Sequence, residues 1–270
     1  MASEATEDGN DWALHREVVN YEGEPGVPLQ GLFVRPQGED VVATLPAVLI
    51  AHTAVGVQED FILWKLDQFA SLGYAAFALD MFGTGRALWD PVESKAARKV
   101  LTDDRSRMQA RASAALATLR GIPGVDPDRV AALGYCFGGM VVLDLARMGC
   151  PPGLQSVVTF HGILSPIVSG GDSSESITPE VLILTSEGDP FVPPEQVVTF
   201  EKEMKKRGAN WEVIRFGLPA RHAFTRPEKT SEEDQQAGLF YDAKADKESW
   251  RHMLELLQRT IGLGQMRKSP

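Results

Sequence analysis

The run Val130-Ala131-Ala132-Leu133-Gly134-Tyr135-Cys136-Phe137-Gly138-Gly139 decides how this chain is to be read. An apolar strand ends at Gly134, a tight turn follows, and a helix rich in small residues begins. This is the G-x-nucleophile-x-G elbow, with cysteine where serine usually stands. The spacing has a physical cause: a side chain held on a strained turn needs small neighbours at 134 and 138 to avoid clashes. The turn also sets the Cys136 sulfur at a helix N-terminus, where the dipole and free N–H groups favour thiolate. The backbone N–H of Phe137 is then placed to meet a developing oxyanion. A small buried cysteine is the bland alternative, and the flanking glycines and strand–turn–helix context argue against it.

An elbow nucleophile requires an acid and then a histidine, in that chain order. The apolar strand Val181–Thr185 leads into Ser186-Glu187-Gly188-Asp189-Pro190, so Asp189 is the expected acid, with Glu187 behind it. The strand Trp211–Phe216 leads into Gly217-Leu218-Pro219-Ala220-Arg221-His222, and His222 is the expected base. His15 lies near the terminus, His252 falls within the last helix, and His52 and His161 each end an earlier strand. Cys136, His222 and Asp189 together suit nucleophilic acyl transfer through a thioester. A second oxyanion donor is expected from the loop after Ala47–His52, at the N–H of Ala54, with His52 bracing that loop.

Outward from the elbow, strand-like runs alternate with helical patterns. Val27–Val34, Ala47–His52, Tyr74–Leu79, Arg129–Gly134, Ser156–Phe160, Val181–Thr185 and Trp211–Phe216 read as strands. Several are continuous apolar runs, as strands buried on both faces of a parallel sheet are. Phe61–Leu72, Asp103–Arg120, Gly138–Met148, Pro194–Arg207 and Lys247–Ile261 read as helices. The alternation predicts an α/β fold with helices covering a mostly parallel sheet. Residues 1–12 are expected to be a disordered acidic tail, and 13–270 one domain without a large cap. Ser165–Pro179 and Pro227–Gly238 read as surface loops. The charged run Glu201–Arg207 reads as a solvated helix face.

Composition narrows the function classes. The chain has 270 residues, 43% hydrophobic and 24% charged, with a net charge of −10. That acidity argues against a grip on nucleic-acid phosphates. The longest apolar stretch, Val41–Ala51, is interrupted by Pro46 and is far shorter than the roughly 18 residues that cross a bilayer. Met1–Asn10 has no apolar core of a signal peptide, so a cytoplasmic location is expected. Cys136 and Cys150, placed on one helix by this reading, would stand roughly 21 Å apart and cannot pair. No His-x3-His or Cys-x2-Cys pattern suggests a metal, and no G-x-G-x-x-G opens a helix after a strand. No cofactor is expected.

On the elbow, Gly188-Asp189-Pro190, His222-Ala223-Phe224-Thr225-Arg226, Tyr241-Asp242-Ala243 and Ser249-Trp250, the chain resembles the dienelactone hydrolase family of α/β-hydrolases. The resemblance runs from about Val27 to the final helix. It implies the α/β-hydrolase fold and hydrolysis of small esters or lactones, with arginines holding a substrate carboxylate. Arg226 falls on one such position. The loop Asp80-Met81-Phe82-Gly83-Thr84-Gly85-Arg86 offers Arg86 as the second, at a different offset, with Asp80 shaping the loop and both glycines making turns. Thr53 stands where lactonases of the family carry a glutamate that contacts the resting cysteine, which places Thr53 among the substrate-site residues. The expected partner is a small ester or lactone, with neither nucleic acid nor membrane, and the chain is a monomer or a homodimer. The alternatives are a broad esterase or thioesterase acting on a non-lactone substrate, and a catalytically silent binding protein of the same fold.

Overall fold

The computed structural model describes residues 13–38, 41, 43–167 and 175–264. Eight strands are β1 (Ala13–Glu24), β2 (Val27–Gln37), β3 (Leu45–Ala51), β4 (Ala75–Leu79), β5 (Val125–Tyr135), β6 (Leu154–Phe160), β7 (Glu180–Ser186) and β8 (Trp211–Phe216). They form one sheet in the order β1-β2-β4-β3-β5-β6-β7-β8. The pairs β1–β2 and β2–β4 are antiparallel, and every pair from β4–β3 to β7–β8 is parallel.

The apolar runs explain the layering. Every residue of β3 and β4 is buried. Because side chains alternate along a strand, Ala47, Leu49 and Ala51 pack into one core and Val48 and Ile50 into another. The first core is closed by α2 (Pro91–Asp103), α3 (Arg105–Gly121), α4 (Phe137–Arg147) and α5 (Pro194–Lys206). The second is closed by α1 (Asp60–Ser71) and α7 (Ala243–Thr260). A short helix, α6 (Glu232–Gln236), carries a capping box between Ser231 and Asp234. Among the described residues no helix is long and apolar enough to cross a membrane.

Strands and helices fall where the hydrophobic pattern puts them, within a few residues at their ends. Three elements are additional. β1 is a half-exposed edge strand whose charged residues mask its alternation, and it returns to β2 through Gly26 at φ 76°. The polar helix α2 begins at Asp90, whose side chain accepts the N–H groups of Val92 and Glu93, with Pro91 in the first turn. The expected helix Asp103–Arg120 starts at Arg105 instead, because Asp104 caps it through Arg107 N–H. The third addition is α6, inside the expected loop Pro227–Gly238. Cys150 also departs from expectation: α4 stops at Arg147, Gly149 turns the chain at φ 95°, and Cys150 is exposed beyond the helix. The acidic tail 1–12 and part of the loop Ser165–Pro179 lie outside the described residues.

The strand order has a consequence for any site. β3 is flanked by β4 on one side and β5 on the other, so the chain winds away in both directions from the β3–β5 pair. Ligands of open α/β sheets bind at the carboxyl ends of strands at such a switch point. Cys136 follows β5 directly, and the segment His52–Val55 follows β3.

Candidate active site

Cys136 occupies φ 56°, ψ −116°, a conformation that L-residues adopt only under strain, of the order of 1–3 kcal/mol. Close packing holds it there. A Cβ on Gly134 would lie 2.0 Å from the Gly138 carbonyl oxygen, and one on Gly138 would lie 2.2 Å from that of Ala51. The glycines are therefore demanded by backbone approach: β3, β5 and the start of α4 touch without side chains between them. Gly138→Ala is expected to lower stability by about 3 kcal/mol or more, since backbone on both sides must move. Urea unfolding measures this, and a variant as stable as the parent would refute the packing account.

The loop after β7 holds Asp189 with its carboxylate out of solvent. Oδ1 accepts the N–H of Phe191 at 2.8 Å, and Oδ2 lies 2.8 Å from Nδ1 of His222. His222 leaves β8 in a segment turned by Ala223 at φ 62°, and its carbonyl accepts Phe240 N–H at 2.9 Å. The imidazole packs edge-on against Phe191 and His161, with ring centroids 4.8 and 5.0 Å away. It also hydrogen-bonds Cys136. Asp189, His222 and Cys136, from three separate loops, thus form one continuous chain. Glu187, the other acid in the same turn, is exposed.

The charges in this chain reinforce one another. Burial opposes ionisation of the Cys136 thiol, but the His222 charge and hydrogen bond, the Phe137 backbone N–H and the Arg98 charge outweigh it and hold the thiol below its ordinary range. Burial likewise opposes a charged His222, but the Cys136 charge and the Asp189 bond raise the imidazole to about 10. Thiolate and imidazolium therefore each favour the other's charge.

Neighbouring groups frame the pair. His52 Nδ1 donates to the Thr53 carbonyl at 2.7 Å, and its Nε2 accepts Met81 N–H at 3.2 Å, tying the loop after β3 to that after β4. Asp80 gathers the N–H groups of Phe82 and Gly83 on Oδ1 and of Gln30 and Gly85 on Oδ2. Ala54 sits in the loop after β3, and its carbonyl accepts the Ser94 hydroxyl of α2 at 2.6 Å. His161 is fully buried at φ 42°, and Nε2 meets Thr225 Oγ1 at 2.9 Å. Burial and the nearby His222 and Arg226 charges keep it neutral.

The two arginines expected at a substrate carboxylate are both engaged with protein carboxylates. Arg226 Nη2 lies 2.6 Å from Glu59 Oε1, its Nε donates to Glu228 Oε1 at 2.6 Å, and the guanidinium sits 5.2 Å over the Phe61 ring. Arg86, with a side chain 51% exposed, stands 3.6 Å from Glu93 at the surface. Thr53 is buried, and its hydroxyl donates to Glu59 Oε2 at 2.5 Å. Burial lifts the Glu59 carboxyl above its usual range in spite of Arg226 and Thr53.

Glu59, bonded to Thr53 and Arg226, and Arg98, whose charge lowers the Cys136 thiol, are singled out by no local pattern. Glu59 reads as an ordinary residue before a helix, and Arg98 lies in α2, whose polar sequence conceals the helix. The Asp90-Pro91 start signal is the one feature that reveals α2.

Comparison with known proteins completes the description. The model of the dienelactone hydrolase family matches residues 29–261. An uncharacterized protein of Caenorhabditis elegans is 36% identical over 168 residues, 60% of this chain and 99% of its own. A solved dienelactone hydrolase-like promiscuous phosphotriesterase from metagenomic libraries is 33% identical with a TM-score of 0.84, covering 93% of this chain and 100% of its own. Esterase 2 of Thermogutta terrifontis shares the fold alone, at 19% identity and a TM-score of 0.65 over 93% of this chain and 96% of its own. With sheet order, elbow and family match in agreement, the chain belongs to the dienelactone hydrolase family and is a hydrolase acting on ester bonds.

Proposed function

We propose that the chain hydrolyses small carboxylic esters or lactones with Cys136 as nucleophile, His222 as acid and base, and Asp189 as the group that orients His222. The observation that carries this reading is the Cys136–His222–Asp189 chain, in which the sulfur and the imidazole each favour the other's charged form. The thiolate attacks the ester carbonyl carbon, and the carbonyl oxygen takes the negative charge. The N–H groups of Phe137 and Ala54 stabilise that oxyanion. As the tetrahedral species collapses, the imidazolium gives its proton to the departing alkoxide and a thioester remains. Neutral His222 then removes a proton from water. The hydroxide attacks the thioester, the acid is released, and the thiolate–imidazolium pair is restored. Asp189 keeps one ring tautomer throughout.

The fold places only short loops over the carboxyl ends of β3 and β5 among the described residues, which suits small substrates with good leaving groups. Arg226, paired to Glu59, fastens the loop after His222 to that after β3 and so positions both halves of the site.

The pH dependence of Cys136 alkylation tests this reading. A free thiol with a pKa near 8.5 reacts roughly 25-fold more slowly at about pH 7 than at about pH 9, following its thiolate fraction. Cys136 is expected to lose less than that over the same interval, because its thiol is held below its ordinary range and His222 holds its proton to about 10. Iodoacetamide labelling followed by peptide mapping separates Cys136 from exposed Cys150. His222→Ala should restore the steep profile. A steep profile in the unmodified protein would overturn the ion pair.

A further inference from the structure

His161 follows β6 directly, has no exposed surface and holds a backbone φ of 42°. Its Nδ1 is closed off from solvent and has no hydrogen-bond partner among the described residues. A buried polar atom in that condition lowers stability, and left-handed backbone at a residue other than glycine lowers it further. An apolar side chain would avoid the first of these costs. No step of the thioester route uses this imidazole, yet it stands inside the site.

The contacts of His161 form a bridge. Its backbone neighbours hold Cys136 from both sides: the Phe160 carbonyl accepts Cys136 N–H at 3.1 Å, and Ile163 N–H donates to the Cys136 carbonyl at 3.4 Å. Between them, His161 N–H donates to the Leu184 carbonyl of β7 at 2.8 Å. The next residue seats the turn on α4, since a Cβ on Gly139 would lie 2.4 Å from the Gly162 Cα. The side chain reaches instead to the loop that carries His222. Nε2 lies 2.9 Å from Thr225 Oγ1, and the ring stands edge-on to His222 and Phe224, with centroids 5.0 and 5.3 Å away. Thr225 is itself buried, and among the described residues its hydroxyl bonds to His161 alone. Two charged imidazoles at this distance would repel each other. Burial holds His161 well below its usual pKa, and the charges of His222, Arg226 and Lys65 push the same way, so His161 is the neutral one.

Resting on Cys136 as nucleophile and His222 as base, as proposed above, we propose that His161 is a positioning residue for the reaction. Its bond to Thr225 ties the His222 loop to the segment that clamps Cys136, and so sets the distance between sulfur and imidazole. The task differs from that of Asp189, which orients the His222 ring through Nδ1; His161 fixes the loop on which that ring is carried. An imidazole suits the place because it is rigid, bonds a hydroxyl at Nε2 in either tautomer, and gives up its charge on burial. The demand for such a link is steep, since a misplacement of about 1 Å at reacting groups is enough to cost about 100-fold in rate.

Two readouts test the bridge: turnover of p-nitrophenyl acetate per folded molecule, and the pH profile of Cys136 alkylation by iodoacetamide. Thr225→Val removes the hydroxyl at nearly the same size and leaves the strained backbone of His161 untouched. It is expected to lower kcat/KM by about 10-fold or more, chiefly through kcat, and to steepen the alkylation profile towards that of a free thiol. His161→Phe keeps a ring beside His222 without the nitrogen and should behave alike. The double variant should lose no more than either single one, because both remove the same contact. His161→Gln, whose amide is long enough to reach Thr225, should recover part of what phenylalanine loses. If the variants at 161 do not fold, Thr225→Val carries the test alone. A smaller loss in Thr225→Val, or an alkylation profile like that of the wild type, overturns the proposal. Losses that add in the double variant overturn it too, as does a glutamine variant no better than phenylalanine. Failure of the underlying reading looks different: Cys136→Ala would then hydrolyse the ester as the wild type does, and the role of His161 would fall with it.

Discussion

Replacing Cys136 by alanine is expected to lower kcat/KM for aryl ester hydrolysis by about 10⁴-fold or more while leaving the fold intact. The magnitude follows from the way a nucleophile and its base act as a unit: without the nucleophile, only the oxyanion donors and substrate binding remain. The fold survives because the substitution leaves the local constraints in place. Alanine keeps the Cβ at φ 56°, so the backbone strain is unchanged, and the close approach of Gly134 to Gly138 is untouched. The half-buried position loses one sulfur atom, which leaves little new cavity. Steady-state kinetics together with thermal melting decide the matter. A variant that melts within a few degrees of the wild type and retains more than a tenth of its turnover would remove Cys136 from the reaction.

The loss of His222's partner should also be visible in the variant. The Cys136 charge is the foremost contribution raising the imidazole, against burial. With alanine at 136, only the Asp189 bond remains to favour the imidazolium, so His222 titrates at lower pH than in the wild type. Cys136 and His222 therefore set each other's charge.

This mutual dependence explains which parts of the site are legible in sequence. The elbow is legible because its cause is local: Gly134, Cys136 and Gly138 lie within one turn, and the glycines answer a backbone clash that any sequence with this turn must meet. Asp189 and His222 are legible through their order after β7 and β8. The opposite holds where the determining contact is distant. Arg226 stands at a position that the family resemblance marks for substrate, yet its guanidinium is fixed by Glu59, 167 residues away in the chain. A motif gives the residue and says nothing of which carboxylate reaches it first. Glu59 itself, buried and bonded to Thr53 and Arg226, has the local setting of any residue preceding a helix.

The same division runs through the fold. β3, β4, β6 and β7 are legible because burial on both faces writes a continuous apolar run. β1 is not, because an edge strand open to solvent tolerates His15, Arg16, Glu17 and Glu22, which blur its alternation. α2 is a surface helix whose few inward residues, Ser94, Arg98 and Leu101, make too sparse a stripe to read as helical.

The second large effect lies away from the sulfur, in the charges that seat the elbow helix. Asp144, in the middle of α4, has no exposed surface. Its carboxylate is held at both oxygens by Arg105 of α3, with Nε to Oδ2 at 2.5 Å and Nη2 to Oδ1. Arg147, one turn along α4, donates Nη1 to Oδ1 at 3.1 Å and reaches Glu203 of α5 with Nη2 at 2.8 Å. One buried anion therefore joins three helices. Asp144→Ala is expected to destabilise the protein by about 3–5 kcal/mol, because it strands the Arg105 guanidinium with a single 3.4 Å contact to the Ser165 carbonyl. Arg147 keeps Glu203 and suffers less. Asp144→Asn, which retains hydrogen-bond acceptance without the charge, should fall between the two. Urea unfolding of the three proteins gives the ordering, and a loss below about 1 kcal/mol for alanine would mean that Arg105 escapes to water. The consequence for function comes through α4, whose first turn carries the Phe137 N–H and the close contact of Gly138 with β3. Loosening the middle of that helix frees its start, so Asp144→Ala should lower turnover per folded molecule as well as stability, although no atom of Asp144 belongs to the proposed triad.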